Sequence, residues 1–174
     1  APVLCALDAR VRLLSQGGER EIKLADLYRD DGIDYLAKQP GEVLTEIVLP
    51  PSDGVEMSFW KLRRRGSIDF AVLSVGIALH RDYAGRVEAV RIYLGAIASA
   101  PIEAKDAAVE LIGRELTEEV ISNAARAARK PATPLDNTDF TLQWRSKMVV
   151  SYVEAALREI AGLPLTGLPP KHQM

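Results

Sequence analysis

The hydrophobic period of this 174-residue chain changes once, at Pro101, and that change constrains the fold more than any other feature. Before it, apolar residues recur at every second position; after it, they recur about every 3.6. A strand turns alternate side chains to opposite faces, whereas a helix returns to one face every three or four residues. A strand-rich half is therefore followed by a helix-rich half. Grouped strands followed by grouped helices predict an α+β fold, not an alternating parallel one. Strands are expected at 56–63, 71–80 and 87–96, the last two joined by Asp82-Tyr83-Ala84-Gly85. In the last of them Val90, Ile92 and Leu94 share one face, while Arg91 and Tyr93 share the other. One buried face and one wet face is the antiparallel pattern.

Beyond Pro101, Ala104, Ala107, Ala108, Leu111 and Ile112 form one helical stripe, ended by Gly113. A second stripe holds Val120, Ile121, Ala124 and Ala128; Thr117 is its expected N-cap, two acids follow in the first turn, and Pro131 and Pro134 close it. A third helix is expected over about 139–160, with Trp144, Met148, Tyr152 and Ala155 or Ala156 on one side and Leu163 beyond its end. The small residues of the first two helices predict close packing on the sheet. The core should therefore combine Phe59, Val75 and Ile92 with Leu111, Ile121 and Tyr152. Residues 161–174 read as a tail.

Upstream, Val11 and Leu13 alternate with polar residues, Gly17-Gly18 supplies a turn, and Glu21-Ile22 begins the return of a β-hairpin. Residues 23–28 suggest one helical turn. Pro40-Gly41 is a turn dipeptide, after which Val43, Thr45, Ile47 and Leu49 alternate along a strand. That strand stops at Pro50-Pro51-Ser52-Asp53-Gly54, the expected boundary between a first unit, 1–51, and a second, 55–160. The chain opens Ala1-Pro2-Val3-Leu4 without an initiator Met or a basic signal-peptide start, and reads as a piece cut within a structural element. On that reading Val11, Leu13, Val43 and Ile47 lack partners and leave an apolar surface that favours self-association.

Hydrophobic residues at 48% and charged residues at 26% argue against disorder. The net charge of −2 makes any basic cluster local, which speaks against a nucleic-acid partner. No apolar run approaches the roughly 20 residues that span a bilayer, so no membrane partner is expected. Cys5 is the only cysteine, which rules out an intrachain disulfide and fits a reducing cytoplasm. His80 and His172 are too few for a histidine metal site. No Gly-x-Gly-x-x-Gly, phosphate-binding Gly-Lys-Ser/Thr loop or serine elbow occurs, and no catalytic residue is assigned. Cys5 reads as a small core hydrophobe and His80 as structural. Glu42 reads as a turn charge before a ligand contact, and Asp69 as the counter-charge of Arg64 or Arg65.

One stretch carries concentrated charge. Phe59 and Trp60 lead into Lys61, Arg63, Arg64 and Arg65, the run breaks at Gly66, and an apolar strand follows from Ala71. Such a run serves either as a solvated cationic turn guarding a sheet edge or as a place where cations and backbone N–H groups meet an anion or an electron-rich ring. The first use is the more frequent.

Several segments together resemble one family. They are Ala6-Leu7-Asp8-Ala9-Arg10-Val11-Arg12-Leu13, Gly41-Glu42-Val43-Leu44-Thr45-Glu46-Ile47-Val48-Leu49-Pro50, Phe59-Trp60-Lys61-Leu62-Arg63-Arg64-Arg65, Ala71-Val72-Leu73-Ser74-Val75-Gly76-Ile77-Ala78 and Ile92-Tyr93-Leu94-Gly95-Ala96-Ile97-Ala98-Ser99-Ala100-Pro101. In this order they resemble the FAD-binding (medium) subunit of the molybdenum hydroxylases: xanthine dehydrogenase, carbon monoxide dehydrogenase and 4-hydroxybenzoyl-CoA reductase. The resemblance implies only the C-terminal half of such a subunit. Residues 1–51 would end an FAD-binding subdomain, and 55–160 would form a three- to four-stranded antiparallel sheet covered by three helices. It further implies FAD contacts at Leu44 and Lys61, with Asp69 and Phe70 near the flavin ring. The implied partners are the missing N-terminal FAD-binding half, a large subunit carrying the molybdenum cofactor, and a small subunit carrying 2Fe-2S clusters. The implied function is electron transfer through FAD between those clusters and an external partner. Leu27-Tyr28-Arg29-Asp30-Asp31-Gly32-Ile33 departs from the Gly-Tyr-Arg-Lys-Thr of many carbon monoxide dehydrogenase-like members and resembles 4-hydroxybenzoyl-CoA reductase more. The reading from another class is a stand-alone interaction module built on the turn at 61–65.

Overall fold

The computed structural model describes residues 1–66, 68–138 and 140–169; the expected start of the third helix at 139, and His172, lie outside them. In chain order the elements are helix α1 (Pro2–Ala6), strands β1 (Arg10–Ser15) and β2 (Gly18–Lys23), a 3-10 turn (Ala25–Leu27), and strands β3 (Val43–Val48), β4 (Glu56–Leu62), β5 (Leu73–Arg81), β6 (Val87–Gly95) and β7 (Ile102–Glu103). Helices α2 (Lys105–Leu111), α3 (Glu118–Ala128) and α4 (Leu142–Ala161) complete the described chain. The strands form two antiparallel sheets, ordered β2-β1-β3 and β4-β5-β6-β7.

Alternation decides which face of the larger sheet meets the helices. Ser58, Trp60 and Leu62 of β4 are buried, as are Leu73, Val75, Ile77 and Leu79 of β5 and Val90, Ile92 and Leu94 of β6. Helices α4 and α2 cover this face, and α3 packs against those two helices. The alanines of α3 therefore permit close helix–helix packing first of all. Thr117 caps α3 as expected, accepting a hydrogen bond from the Val120 N–H at 3.3 Å. Thr141 caps α4 in the same way from the Trp144 N–H at 3.2 Å, and the helix stops where Gly162 turns left-handed at φ 68°.

Val75, Ile92, Leu111, Ile121 and Tyr152 all enter this core, but Phe59 does not. It lies one residue out of phase, and Trp60 takes the buried place. A one-residue shift along a strand exchanges faces, so the two aromatics cannot share the core.

The outer face of β5 and β6 is not the wet face that alternation predicts. Helix α1 lies across it, and Tyr93 is buried there with Cys5, Ala6, Ala9 and Ala78. Glycine makes the approach possible. A Cβ on Gly76 would stand 2.9 Å from the Val3 nitrogen, and one on Gly95 would stand 2.5 Å from Pro2 Cγ. Burial pushes the Cys5 thiol up to about 11 and, with Glu103 nearby, the Tyr93 hydroxyl up to about 12. The opening segment is a docked turn of helix with Pro2 in its first turn.

Val11 and Leu13, expected to lack partners, are fully buried in the same cluster with Leu24 and Leu27. On β3 the expectation of exposure holds for Val43 and Ile47; Leu44, and Leu49 just beyond the strand, are open as well.

Candidate functional site

The edge strand β4 turns Met57, Phe59 and Lys61 away from the helices, and the connection to β5 folds back over Lys61. The Lys61 ammonium donates to the Asp69 carbonyl at 2.8 Å. The Asp69 carboxylate in turn accepts the Arg65 N–H at 3.1 Å, an Arg65 guanidinium N–H at 3.3 Å and the Phe70 N–H at 2.9 Å. The side-chain bond from Arg65 holds this carboxyl below the usual range, helped by the two backbone N–H groups. The neck is closed by the Val72 N–H donating to the Leu62 carbonyl at 2.9 Å. Asp69 is thus more than the counter-charge the sequence suggested: it ties Lys61, Arg65 and Phe70 into one lattice. Phe70 is 94% exposed, and nearby Ile68 is 96% exposed.

The strand beneath is rigidly backed. The Ser58 hydroxyl and the Trp60 indole N–H, the latter at 3.0 Å, both donate to one oxygen of Glu159 on α4. Trp60 also meets Tyr152 edge to face, with ring centroids 6.0 Å apart. Lys61 therefore projects from a strand whose reverse side is locked to the longest helix.

Leu44 stands elsewhere, on the three-stranded sheet opposite Leu13, and is 39% exposed. Lys61 and Phe70 are brought together through Asp69, whereas Leu44 belongs to a separate surface. Beside Leu44 the reading of Glu42 as a structural charge holds. Arg20 grips its buried carboxylate with two bonds, at 2.6 and 2.9 Å, and the Gln39 N–H adds a third at 2.6 Å. The Arg20 bond first, then the Gln39 N–H, lower this carboxyl to about 2.

The exposed rim can meet a flat, electron-rich or anionic group. Only one of the three Lys61 donors is used by Asp69, and the Phe70 ring lies open next to it. Among the described residues no helix is long and apolar enough to cross a membrane.

Residues 58–160, more than half of the chain, match the model of the CO dehydrogenase flavoprotein C-terminal domain. The glyceraldehyde dehydrogenase medium chain of Sulfolobus acidocaldarius is 26% identical over 159 residues, covering 91% of this chain and 55% of the relative. The nicotinate dehydrogenase FAD-subunit of Eubacterium barkeri is 32% identical over 120 residues, covering 68% of this chain and 40% of the relative. Among solved structures, reconstituted CO dehydrogenase from Oligotropha carboxidovorans aligns with a TM-score of 0.82 at 25% identity, over 94% of this chain and 56% of that one. Quinoline 2-oxidoreductase from Pseudomonas putida 86 aligns at 0.80, also at 25% identity, over 92% of this chain and 55% of that one. The chain spans about half the length of most of these proteins.

Proposed function

The chain belongs to the CO dehydrogenase flavoprotein C-terminal domain family, and from that premise we propose that it is part of the FAD-carrying subunit of a molybdenum-containing hydroxylase. Lys61, Asp69 and Phe70 would form the flavin-facing rim, and Leu44 would give the cofactor an apolar contact from the neighbouring sheet. The carrying observation is the Lys61–Asp69–Phe70 lattice, which holds a cation with spare donors beside an open aromatic ring. FAD fits this rim in part. The chain has no glycine-rich phosphate loop, so the pyrophosphate would be held by residues outside this sequence. When bound, the flavin supplies the redox chemistry, taking up and releasing electrons. The protein's share is orientation and charge: Lys61 donates toward the cofactor, and Asp69 fixes both the Lys61 ammonium and the backbone that carries Phe70.

In this reading 1–51 closes an FAD-binding subdomain and 55–160 is a domain with its own core. The partners are the upstream FAD-binding half, a molybdenum-cofactor subunit and a 2Fe-2S subunit. A buried, reduced Cys5 supports a cytoplasmic setting. The segment at 27–33 supports the finer assignment to a 4-hydroxybenzoyl-CoA reductase-like enzyme. A stand-alone module using the turn at 61–65 is disfavoured, because that turn falls within the family match over residues 58–160.

The test is Lys61→Ala in the full-length subunit. Loss of a charged hydrogen bond costs about 1.5–3 kcal/mol, so flavin retention should fall about tenfold or more with the fold intact. Lys61→Arg should not fully restore it, since a planar fork donates in another geometry. Unchanged flavin content and potential in the alanine variant would remove Lys61 from the site.

A further inference from the structure

A buried arginine stands behind the rim. Arg145 sits in the first turns of α4 and is only 2% exposed. Its Nη1 donates to the Leu135 carbonyl at 2.6 Å and to Asn137 Oδ1 at 2.9 Å; its Nη2 donates to the Val72 carbonyl at 3.2 Å and to the Ala96 carbonyl. One guanidinium therefore joins three separate stretches: the start of β5, the end of β6, and the segment leading into α4. Among the described residues no carboxylate pairs with it, and burial pushes it below its ordinary value. A buried charge held by carbonyl dipoles costs desolvation, so its role is to be sought in what it organises.

What it organises is the root of the site. Val72 is fixed at three points: its side chain is in the core, its N–H closes the neck on Leu62, and its carbonyl is taken by Arg145. Phe70 and Asp69 lie two and three residues before it. Ala96, across the sheet, is held in the left-handed region at φ 61°, a conformation unfavourable for a side chain with a Cβ, and its carbonyl is aimed at the same guanidinium. We propose that Arg145 is a positioning residue for the β4–β5 connection, setting where the Lys61–Asp69–Phe70 rim stands relative to the sheet. Its bearing on the cofactor rests on the flavin-facing reading of that rim. Lysine cannot replace it, because one ammonium on a flexible stem cannot span acceptors that approach from three sides.

Trypsin reads the connection directly, since it carries Arg63, Arg64 and Arg65. In the full-length, FAD-loaded subunit, cleavage there, located by mass spectrometry, is compared between wild type, Arg145→Lys, Arg145→Met and Val149→Ala. Val149 is buried on the same helix and serves as a core truncation that leaves the guanidinium in place. The expected result is an initial cleavage rate raised about tenfold in Arg145→Lys, equivalent to about 1.4 kcal/mol, and more in Arg145→Met, with less than about a threefold rise in Val149→Ala. If Arg145→Met does not fold, Arg145→Lys carries the comparison. No rise in Arg145→Lys, or an equal rise in Val149→Ala, overturns the proposal. The flavin potential of the same samples separates the two claims: a freed connection with an unshifted potential leaves Arg145 in its role and counts against the flavin-facing reading.

Discussion

The two sheets solve the same problem by opposite means. The four-stranded sheet is covered on its inner face by helices and on part of its outer face by α1, and apolar packing holds it together. The three-stranded sheet buries Val11 and Leu13 but secures its other face with charge: Arg10 and Arg12 on Glu21, and Arg12 on Glu46. Exposed ion pairs of that kind add little each, so most of its stability comes from the cluster it shares with α1, Ala78 and Tyr93. The larger sheet is a scaffold that stands by its own burial. The smaller one depends on being docked, and keeps an open apolar edge at Leu44 and Ile47. The proposed flavin site would draw on both: a stiff strand end for Lys61, and an uncovered surface for Leu44.

The largest effect should come from the scaffold. Trp60→Ala removes a fully buried ring together with its bond to Glu159. The expected loss is about 3–5 kcal/mol, or about 10 °C of Tm at about 2–4 °C per kcal/mol, by calorimetry. A loss below about 1 kcal/mol would mean that the two sheets are equally soft.

Undocking should cost less and act on one side only. Gly76→Ala pushes a methyl into the backbone of Pro2 and Val3, and overpacking of this kind costs about 1–3 kcal/mol. Hydrogen exchange should quicken in α1, β1 and β2 while α2 to α4 keep their protection. Equal loosening of the helices would contradict the proposed division between 1–51 and 55–160.

A smaller change should appear in acid. Glu42 is lowered from 4.5 to about 2 in the folded chain. Its contribution is therefore complete above 4.5, declines as pH falls below that value, and is gone below about 2. Glu42→Gln should flatten the stability profile across that window, read by denaturant midpoints at several pH values. An unchanged slope would show that Arg20 does not hold the carboxylate in solution.

Leu44→Ser should affect stability least, within about 0.5 kcal/mol, because the side chain is already open. On the proposed reading its effect would fall on flavin retention in the full-length subunit. A marked fall in Tm would instead place Leu44 in the core of the smaller sheet.

Local chemistry made much of this molecule legible. The change of period at Pro101, the hairpin at Gly17-Gly18, the Thr117 cap and the three long strands of the larger sheet depend on neighbours within a few residues, and they stand where the sequence places them. The cationic turn and its Asp69 partner were readable for the same reason, since Arg65 and Asp69 are four residues apart. Other features were not. Phe59 and Trp60 are both plausible core residues, and only the register of β4 on β5 decides between them. Tyr93 looked solvated because nothing near it in the chain reveals that residues 2–6 lie over it. Arg145 carried a faint signal, a cation in line with Val149, Tyr152 and Ala156 on the buried side of α4, but a charge on an apolar stripe reads first as an edge residue.

The sequence by itself determined the class of fold, the identity of the longer strands and of helices α2 to α4, and the concentration of charge beside the β4–β5 connection, because propensity, period and capping act over a turn or two of chain. Only the tertiary structure decided which face of each strand is buried, that glycines at 76 and 95 admit a helix from the far end of the chain, and that one guanidinium gathers carbonyls 73, 49 and 10 residues away. Those are consequences of close packing and of the need to pair every buried polar group, and both depend on which distant residues are brought into contact.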